Sequence, residues 1–367
     1  MIVIVLACAV GFFFAMNIGA SGAAASMGIA YGSGAVKTRR IALLICAIGV
    51  MLGASLGGGE VVKTLGSKII PQDVISVNIS LIILASATIS LFIANLAAIP
   101  LSTSEVTVGA IVGVGIAFKK VYLGSLLTIV MYWIFIPILA FFLAYFADKL
   151  IMQIEHRLTF LKEKRWAKVL ALLVIATGFL EAFSAGMNNV ANSIGPLVAA
   201  GLLNVNGGIL MGGLFVALGA LLLGGRVIET NGKKITELSL LQGSAVSGLG
   251  ATLVIIASLF GIPVPQTQIT TCSILGIGMS SKGWKIWQKD VINRLLKVWF
   301  MSPFFSLVIS YNLVKLFMDF DLYSITVVLC VFVATAGFMS LIKPRNKEKQ
   351  VFYKKPATVD GVRRNIS

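Results

Sequence analysis

A cluster of amide and hydroxyl side chains lies in an apolar background between residues 186 and 195, Gly-Met-Asn-Asn-Val-Ala-Asn-Ser-Ile-Gly. Asn188 and Asn192 are four residues apart, so one face of a helix would carry both. A buried amide without a partner costs roughly 1 to 3 kcal/mol, so it persists in such a segment when it faces a polar cavity or another helix. Asn188, Asn189 and Asn192 are therefore candidate ligands of a polar solute.

Two further stretches place hydroxyl and amide side chains directly after a proline. They are residues 99–109, Ile-Pro-Leu-Ser-Thr-Ser-Glu-Val-Thr-Val-Gly, and residues 262–271, Ile-Pro-Val-Pro-Gln-Thr-Gln-Ile-Thr-Thr. A helix that begins there exposes free backbone N–H groups and a partial positive charge, which suits a tetrahedral oxyanion. The alternative is a pair of ordinary helix caps. We call these two proline-led stretches the first and the second tip. Their candidate anion ligands are Ser102, Thr103, Ser104, Gln266, Thr267 and Gln268.

Three stretches of the chain recur in the same order. The matched pairs are residues 15–21 with 186–192, 53–60 with 219–226, and 99–105 with 262–268. Their offsets are 171, 166 and 163, and such a constant order predicts two homologous halves. The first match aligns Asn17 with Asn188, which adds Asn17 and Ser21 to the candidate ligands.

The composition predicts an all-α polytopic membrane protein. Of the 367 residues, 58% are hydrophobic and 12% are charged, whereas an ordinary soluble domain has about 25% charged residues. The apolar runs mostly reach the roughly 20 residues that a crossing helix needs. They lie near residues 2–31, 41–59, 74–97, 122–146, 168–203, 205–225, 239–260, 293–318 and 325–342.

The net charge of +16 does not indicate a nucleic-acid partner. The basic residues are spread over short loops and a tail, and no soluble domain with interleaved aromatic residues presents them. Lys and Arg accumulate in cytoplasmic loops and near anionic lipid, so membrane lipid is the expected partner. No Walker loop, zinc-ligand cluster or nucleophile elbow is visible, and we expect neither a cofactor, nor a metal, nor an enzyme.

With these motifs in view, the chain resembles the inorganic phosphate transporter (PiT) family, whose duplicated signature is roughly Gly-x-Asn-Asp-x-Ala-Asn. The similarity covers nearly the whole chain apart from the tail. Ile18 and Asn189 stand where the signature has aspartates. That departure, together with the run from Phe14 to Arg40, most closely resembles the sulphate permease branch of the family. The resemblance also implies inverted repeats and a homodimer.

The missing aspartates bear on the substrate. Phosphate near neutral pH still carries a proton that needs an acceptor, whereas sulphate can be held by donors alone. Asn189 supplies a donor and Ile18 supplies no polar group. The same aspartates could ligate sodium in the family, so their absence also weakens the case for sodium coupling.

Glu105 and Glu181 are the acids most plausibly within the membrane. Glu105 falls where many relatives of the family have His in a Ser-Thr-Thr-His pattern. An intramembrane carboxyl is a candidate carrier of a coupling proton, and the alternative is a carboxylate paired with an Arg or a hydroxyl. Both residues are therefore candidates for ion coupling.

The predicted organisation is a first transmembrane repeat (1–147), a polar connector (148–167), a second repeat (168–318), a last helix (319–342) and a basic cytoplasmic tail (343–367). Each repeat is expected to contain a broken or re-entrant element that carries the Asn motif. If these elements are re-entrant, the repeats are inverted, and the positive-inside rule favours this arrangement slightly over parallel repeats.

The predicted function is secondary active import of sulphate or a related oxyanion across a bacterial plasma membrane, coupled to protons, by alternating access. A sodium-coupled phosphate symporter is the alternative within the same class. A passive anion channel would need a continuous pore lined by polar or basic rings, which paired broken helices do not favour. A membrane phosphatase would need an activated nucleophile or metal ligands.

Overall fold

The computed structural model describes residues 1–96, 101–158, 164–234, 238–283 and 289–321, with isolated positions between 323 and 334. Contacts divide the chain into Met1–Asp321 and Leu322–Ser367. The predicted last helix (319–342) and basic tail (343–367) lie almost wholly outside the described residues, and so does Pro100 of the first tip. The helices and the site described below belong to the first unit.

The described part of this unit is built from helices. They are α1 Ile2–Ser21, α2 Gly28–Gly32, α3 Arg39–Gly57, α4 Gly59–Lys63, α5 Val77–Leu96, α6 Thr103–Ala117, α7 Leu123–Arg157, α8 Lys164–Ala199, α9 Val205–Leu223, α10 Gly225–Lys234, α11 Leu240–Leu259, α12 Gln266–Lys282 and α13 Lys289–Met318. Eight helical segments of the described chain are long and apolar enough to cross a membrane. The prediction of an all-α polytopic membrane protein is confirmed.

Equivalent helices of the two halves pack on each other's partners in a reciprocal way. Helix α3 of the first half packs on α8 of the second, and α9 of the second packs on α1 of the first. In the same way, α6 of the first half packs on α13 of the second, and α12 of the second half packs on α7 of the first. Pro137 lies inside α7 and Pro303 inside α13, again at the offset of 166. The prediction of two homologous halves is confirmed, because these contacts of one half have counterparts in the other.

The two helices that begin at the tips, α6 and α12, are short, and each is separated from the helix before it by a few residues. Helix α5 is separated from α6 by residues 97–102, and α11 from α12 by residues 260–265. The 15 residues of α6 span about 22 Å, too short for a hydrocarbon core of about 30 Å. Helix α12, with 17 residues, is also shorter than a full crossing, and both lengths are those expected of helices that begin part-way across a membrane.

The two motif-bearing segments differ. Helix α1 ends at Ser21 and continues as a 3₁₀ segment, Ala23–Met27, whereas α8 runs without interruption from Lys164 to Ala199. The expected break is thus present in the first half, while the second motif lies within a continuous helix. Because α7 extends to Arg157, much of the predicted polar connector is helical.

Close helix crossings fix how the two halves correspond. A Cβ atom at Gly186 of α8 would overlap the carbonyl oxygen of Val50 on α3. A Cβ atom at Gly19 of α1 would overlap the carbonyl oxygen of Val216 on α9, and Val216 is the counterpart of Val50. Gly19 is therefore the counterpart of Gly186, at an offset of 167.

A second crossing gives the same register. A Cβ atom at Gly53 of α3 would overlap the carbonyl oxygen of Phe183, and one at Gly219 of α9 would overlap that of Met16. Gly53 and Gly219 correspond at the offset of 166, and Met16 and Phe183 then correspond at 167. The predicted offset of 171 is wrong by four residues, about one helical turn. A shift of one turn keeps a residue on the same face of its helix. Matching the shared Asn therefore gave an alignment that is displaced by one turn.

The corrected register changes the first-half motif. Ser21, rather than Asn17, is the counterpart of Asn188, and Gly22, rather than Ile18, is the counterpart of Asn189. The first half therefore presents small residues at the positions where the second half presents amides.

Candidate functional site

Asn188 holds the two tips together. Its side-chain nitrogen donates to the Ser258 hydroxyl at 3.0 Å and to the Ile262 carbonyl at 3.2 Å. Its side-chain oxygen accepts from the Ser104 hydroxyl and from the Val264 N–H, both at 3.2 Å. An amide has two N–H donors and two acceptor lone pairs, so this fully buried side chain is saturated. Asn188 therefore fixes the start of α6 against the loop before α12.

Asn192 lies one turn further along α8 and faces the same tip. Its nitrogen donates to the hydroxyls of Thr103 and Ser104 at 3.2 and 3.3 Å. Its oxygen is buried and has no hydrogen-bond partner among the described residues. Because a buried acceptor without a partner is costly, this oxygen is a position where a further donor would be stabilised.

Asn189 faces the second tip. Its nitrogen donates to the Gln266 side-chain oxygen at 3.0 Å, and the Gln266 nitrogen donates to the backbone carbonyl of Glu181 at 3.2 Å. The Glu181 carboxyl accepts from the Thr270 hydroxyl at 3.0 Å. Glu181 is buried. The two amides and the hydroxyl thus connect α8 to the first turns of α12.

Glu105 and Gln268 occupy equivalent positions in the two halves and contact each other. They are counterparts at the offset of 163, and the Gln268 amide donates to Glu105 Oε1. Both side chains are buried, with 3% of each exposed. Glu105 Oε2 has no hydrogen-bond partner among the described groups, although the Ser302 hydroxyl of α13 lies beside the carboxyl. The acid of one half is therefore held by the amide that replaces it in the other.

The start of α6 supplies backbone donors. Ser102 has an extended conformation before α6, and its carbonyl accepts from the Val106 N–H at 3.1 Å. Its side chain makes no cap hydrogen bond. The first N–H groups of a helix have no partner within that helix, so the turn after Ser102 can donate to an anion.

The structure does not bring every predicted ligand to this network. The Asn17 nitrogen donates to the Phe13 carbonyl of its own helix at 3.0 Å, and the Ser21 hydroxyl donates to the Asn17 carbonyl at 2.8 Å. Thr267 is exposed. The network contains side chains of Asn188, Asn189, Asn192, Thr103, Ser104, Gln266, Gln268, Glu105 and Glu181.

Ser258 and Ser302 were not predicted from the sequence. Ser258 is the last residue but one of α11, and Ser302 directly precedes the proline inside α13. Each is a buried hydroxyl in a locally apolar stretch of its helix, residues 254–259 and 298–305. That pattern was the available signal, but only the packing of the helices shows which polar group each serine meets.

The described residues contain no cluster of three or more His, Cys, Asp or Glu side chains that could hold a metal ion. The network consists of amides, hydroxyls and two carboxyls. Such groups can bind a solute through hydrogen bonds and can hold or release a proton at a carboxyl.

Comparison with known proteins agrees with this geometry. The profile of the Phosphate transporter family matches residues 18–170 and again residues 152–310. The sulfate permease CysP of Bacillus subtilis is 55% identical over 92% of this chain and 95% of its own length. A putative phosphate permease of Pyrococcus abyssi is 29% identical over 82% of this chain and 94% of its own.

One solved structure has the same fold. It is described as the sodium-dependent phosphate transporter, and it superposes with a TM-score of 0.76 at 25% identity. The match covers 86% of this chain and all of that one. The duplicated profile, the related permeases and the eight apolar helices agree. The chain therefore belongs to the phosphate transporter family and is an anion transporter of the bacterial plasma membrane.

Proposed function

We propose that this protein imports sulphate by alternating access and that protons drive the import. The observation that carries the proposal is the chemistry at the two positions where the family signature has aspartates. With the corrected register these positions are Gly22 in the first half and Asn189 in the second. Neither residue can accept a proton from a substrate or present a negative charge to one.

This chemistry favours a fully ionised oxyanion. A carboxylate about 4 Å from a unit of like charge costs roughly 4 kcal/mol at an effective dielectric of about 20. Hydrogen phosphate can offset part of that cost by donating its proton to the carboxylate, but sulphate has no proton to donate. A site with an amide and a glycine in place of two acids therefore favours sulphate.

The proposed anion site lies between the starts of α6 and α12, next to α8. Thr103, Ser104 and Gln266 contribute side chains there, and the first turn of α6 contributes N–H groups. Asn188 positions both tips, while the side-chain nitrogens of Asn189 and Asn192 bond to residues of the two tips. The roles of Asn17, Ser21 and Thr267 as direct ligands find no support in their contacts.

Glu105 is the proposed carrier of the coupling proton. Its carboxyl lies at the same helix start as Thr103 and Ser104, so the proton and the anion share one neighbourhood. Protonation removes a negative charge where a dianion enters, which links the two binding events. Glu181 is the second candidate, because its carboxyl is also buried and contacts the other tip through Thr270.

Sodium-driven phosphate uptake is the second candidate function, because the solved structure with this fold is a sodium-dependent phosphate transporter. A homodimer and contact of the basic tail with anionic lipid are further proposals that rest on the family resemblance and on the tail's composition. The tail from Lys343 carries 8 basic and 2 acidic residues.

The test is uptake of labelled sulphate and labelled phosphate by the purified protein in proteoliposomes, with an imposed proton or sodium gradient. We expect sulphate to accumulate when the outside is acidic, whether or not sodium is present. Accumulation of phosphate driven by sodium, without sulphate uptake, would contradict the proposal and support the second candidate. Empty liposomes with the same gradients control for leakage.

A further inference from the structure

Three serines follow one face of α13 where this helix crosses α6. Ser302, Ser306 and Ser310 are spaced by four residues, and all three are buried. Gly109 and Gly113 of α6 face Ser306 and Ser310. Small residues at such a crossing commonly serve only to bring two helices close together, which is the simplest explanation of the row.

The hydrogen bonds separate Ser302 from the other two serines. The Ser306 hydroxyl donates to the Pro303 carbonyl, and the Ser310 hydroxyl donates to the Leu307 carbonyl, both at 3.1 Å. Their own helix therefore satisfies them. The Ser302 hydroxyl has no hydrogen-bond partner among the described residues.

Ser302 lies beside the carboxyl of Glu105, whose Oε2 is also buried without a partner in the described structure. The other oxygen of this carboxyl already accepts from Gln268. Two adjacent buried groups, each lacking a partner, are costly when separate and complementary when they bond to each other.

The equivalent crossing, between α7 and α12, shows which residues close helix packing requires at these positions. At the offset of 166, Ser302, Ser306 and Ser310 correspond to Ile136, Ala140 and Ala144 of α7, and these are buried as well. Helix α7 packs closely on α12, because a Cβ atom at Gly276 would overlap the Phe141 carbonyl. The hydroxyl is thus absent beside Gln268 and present beside Glu105.

We infer that Ser302 is the hydrogen-bond partner of Glu105 in both of its protonation states and is therefore a positioning residue for the coupling step. When Glu105 is protonated, Oε2–H donates to the serine oxygen. When Glu105 is ionised, the serine O–H donates to Oε2. A hydroxyl can do both because it has one donor and two acceptor sites.

The inference rests on the proposed role of Glu105. Helices α5, α8 and α13 pack against α6. Helix α5 has no charged residue, and the basic residues of α8 lie within its first five positions. Glu181 of α8 is bonded to Thr270, and Lys315 of α13 pairs with Asp319 at 2.6 Å. Ser302 and Gln268 are thus the polar contacts of the Glu105 carboxyl among the described side chains, which do not include Lys289, Asp290, Arg294 and Lys297 of α13.

The experiment measures sulphate uptake driven by a proton gradient, as a function of pH, for the full-length protein and for Ser302→Ala, Ser302→Thr and Ser306→Ala. Removing the donor destabilises the ionised carboxyl more than the neutral one. We expect the alkaline limb of the Ser302→Ala profile to move up by roughly one to two pH units. Ser302→Thr keeps the hydroxyl and should restore the original profile, and Ser306→Ala should leave it unchanged.

Sulphate counterflow at acidic pH is measured on the same preparations, because it reports folding and anion binding without a gradient. An unchanged profile for Ser302→Ala, with proton-driven uptake intact in the parent, would overturn the inference but leave the proposed function standing. An equal shift in Ser306→Ala would also overturn it, since packing would then be the cause. If the parent shows no uptake driven by protons, the coupling proposal fails and the inference fails with it.

Discussion

The crossing of α6 with α13 and the crossing of α12 with α7 have the same backbone geometry but different chemistry. Gly113 lies against the Leu307 carbonyl in the first, and its counterpart Gly276 lies against the Phe141 carbonyl in the second. The first crossing contains a buried carboxyl at Glu105 and a row of serines. The second contains an amide and the side chains of isoleucine and alanine.

This difference separates the requirements of the fold from those of the transport cycle. Residues that both crossings share, such as the close glycines, set the distance between helices. Residues found in only one crossing are not needed for that purpose. Of the polar groups at the first crossing, Glu105 and Ser302 are therefore expected to act in coupling, whereas the Ser306 and Ser310 hydroxyls bond to their own helix.

The largest expected effect comes from the shared glycines. A Cβ atom at Gly113 or Gly276 would overlap a backbone carbonyl, so Gly113→Ala and Gly276→Ala should each destabilise the protein by about 3 kcal/mol or more. Thermal unfolding in detergent measures this. Gly124→Ala is the control, because no atom lies within 4 Å of a Cβ at that position. A stable variant at either crossing would mean that the two crossings are not equivalent.

Asn188→Ala should have the next largest effect. The change leaves four groups without their partner, including the Ile262 carbonyl and the Val264 N–H. Because the Ser104 and Ser258 hydroxyls each keep another bond, the cost falls mainly on the two backbone groups, and we expect a loss of stability of about 3 kcal/mol and severe loss of sulphate counterflow. Ser21→Ala, at the counterpart position, removes one bond to its own helix and is the matched control. Equal effects would show that the tips do not depend on Asn188.

Asn189→Asp tests the charge at the second tip. The new carboxylate would lie beside the proposed dianion, so sulphate counterflow at neutral pH should fall at least tenfold, because roughly 1.4 kcal/mol of repulsion is enough for that factor. The variant should fold if the Gln266 amide turns its nitrogen toward the new carboxylate, because in the parent the Asn189 nitrogen donates to the Gln266 oxygen. Counterflow equal to that of the parent would refute the role of neutral donors in selecting sulphate.

Asn17→Ala should have the smallest effect. The Asn17 amide is bonded to the Phe13 carbonyl of its own helix, so we expect a change in stability within about 0.5 kcal/mol and normal transport. Unfolding temperature and counterflow are measured side by side with those of Asn188→Ala. If Asn17→Ala abolished transport, the register between the halves that the glycine crossings indicate would be wrong.

The sequence predicted the membrane helices well because each must present about 20 apolar residues to lipid. The run at 205–225, for example, corresponds to α9, Val205–Leu223. The pairing of the two halves was harder, because a helix returns to the same face after about one turn and a single shared Asn could be matched one turn away.

The candidate site was predicted in part. Ser104 and Gln268 were identified because polar residues after a proline are unusual in apolar segments. Their partners depend on which helices pack together, and that is not encoded in a local pattern. Ser258 reaches Asn188 only because α11 packs on α8, and Ser302 reaches Glu105 only because α13 packs on α6.

We propose that coupling depends on Glu105, and its amide counterpart Gln268 shows that a neutral side chain fits this environment. The most direct test compares sulphate counterflow with proton-driven accumulation in proteoliposomes containing the parent or Glu105→Gln. We expect Glu105→Gln to keep counterflow within about twofold of the parent and to lose accumulation against a gradient. A Glu105→Gln protein that still concentrates sulphate when protons are the driving ion would contradict it.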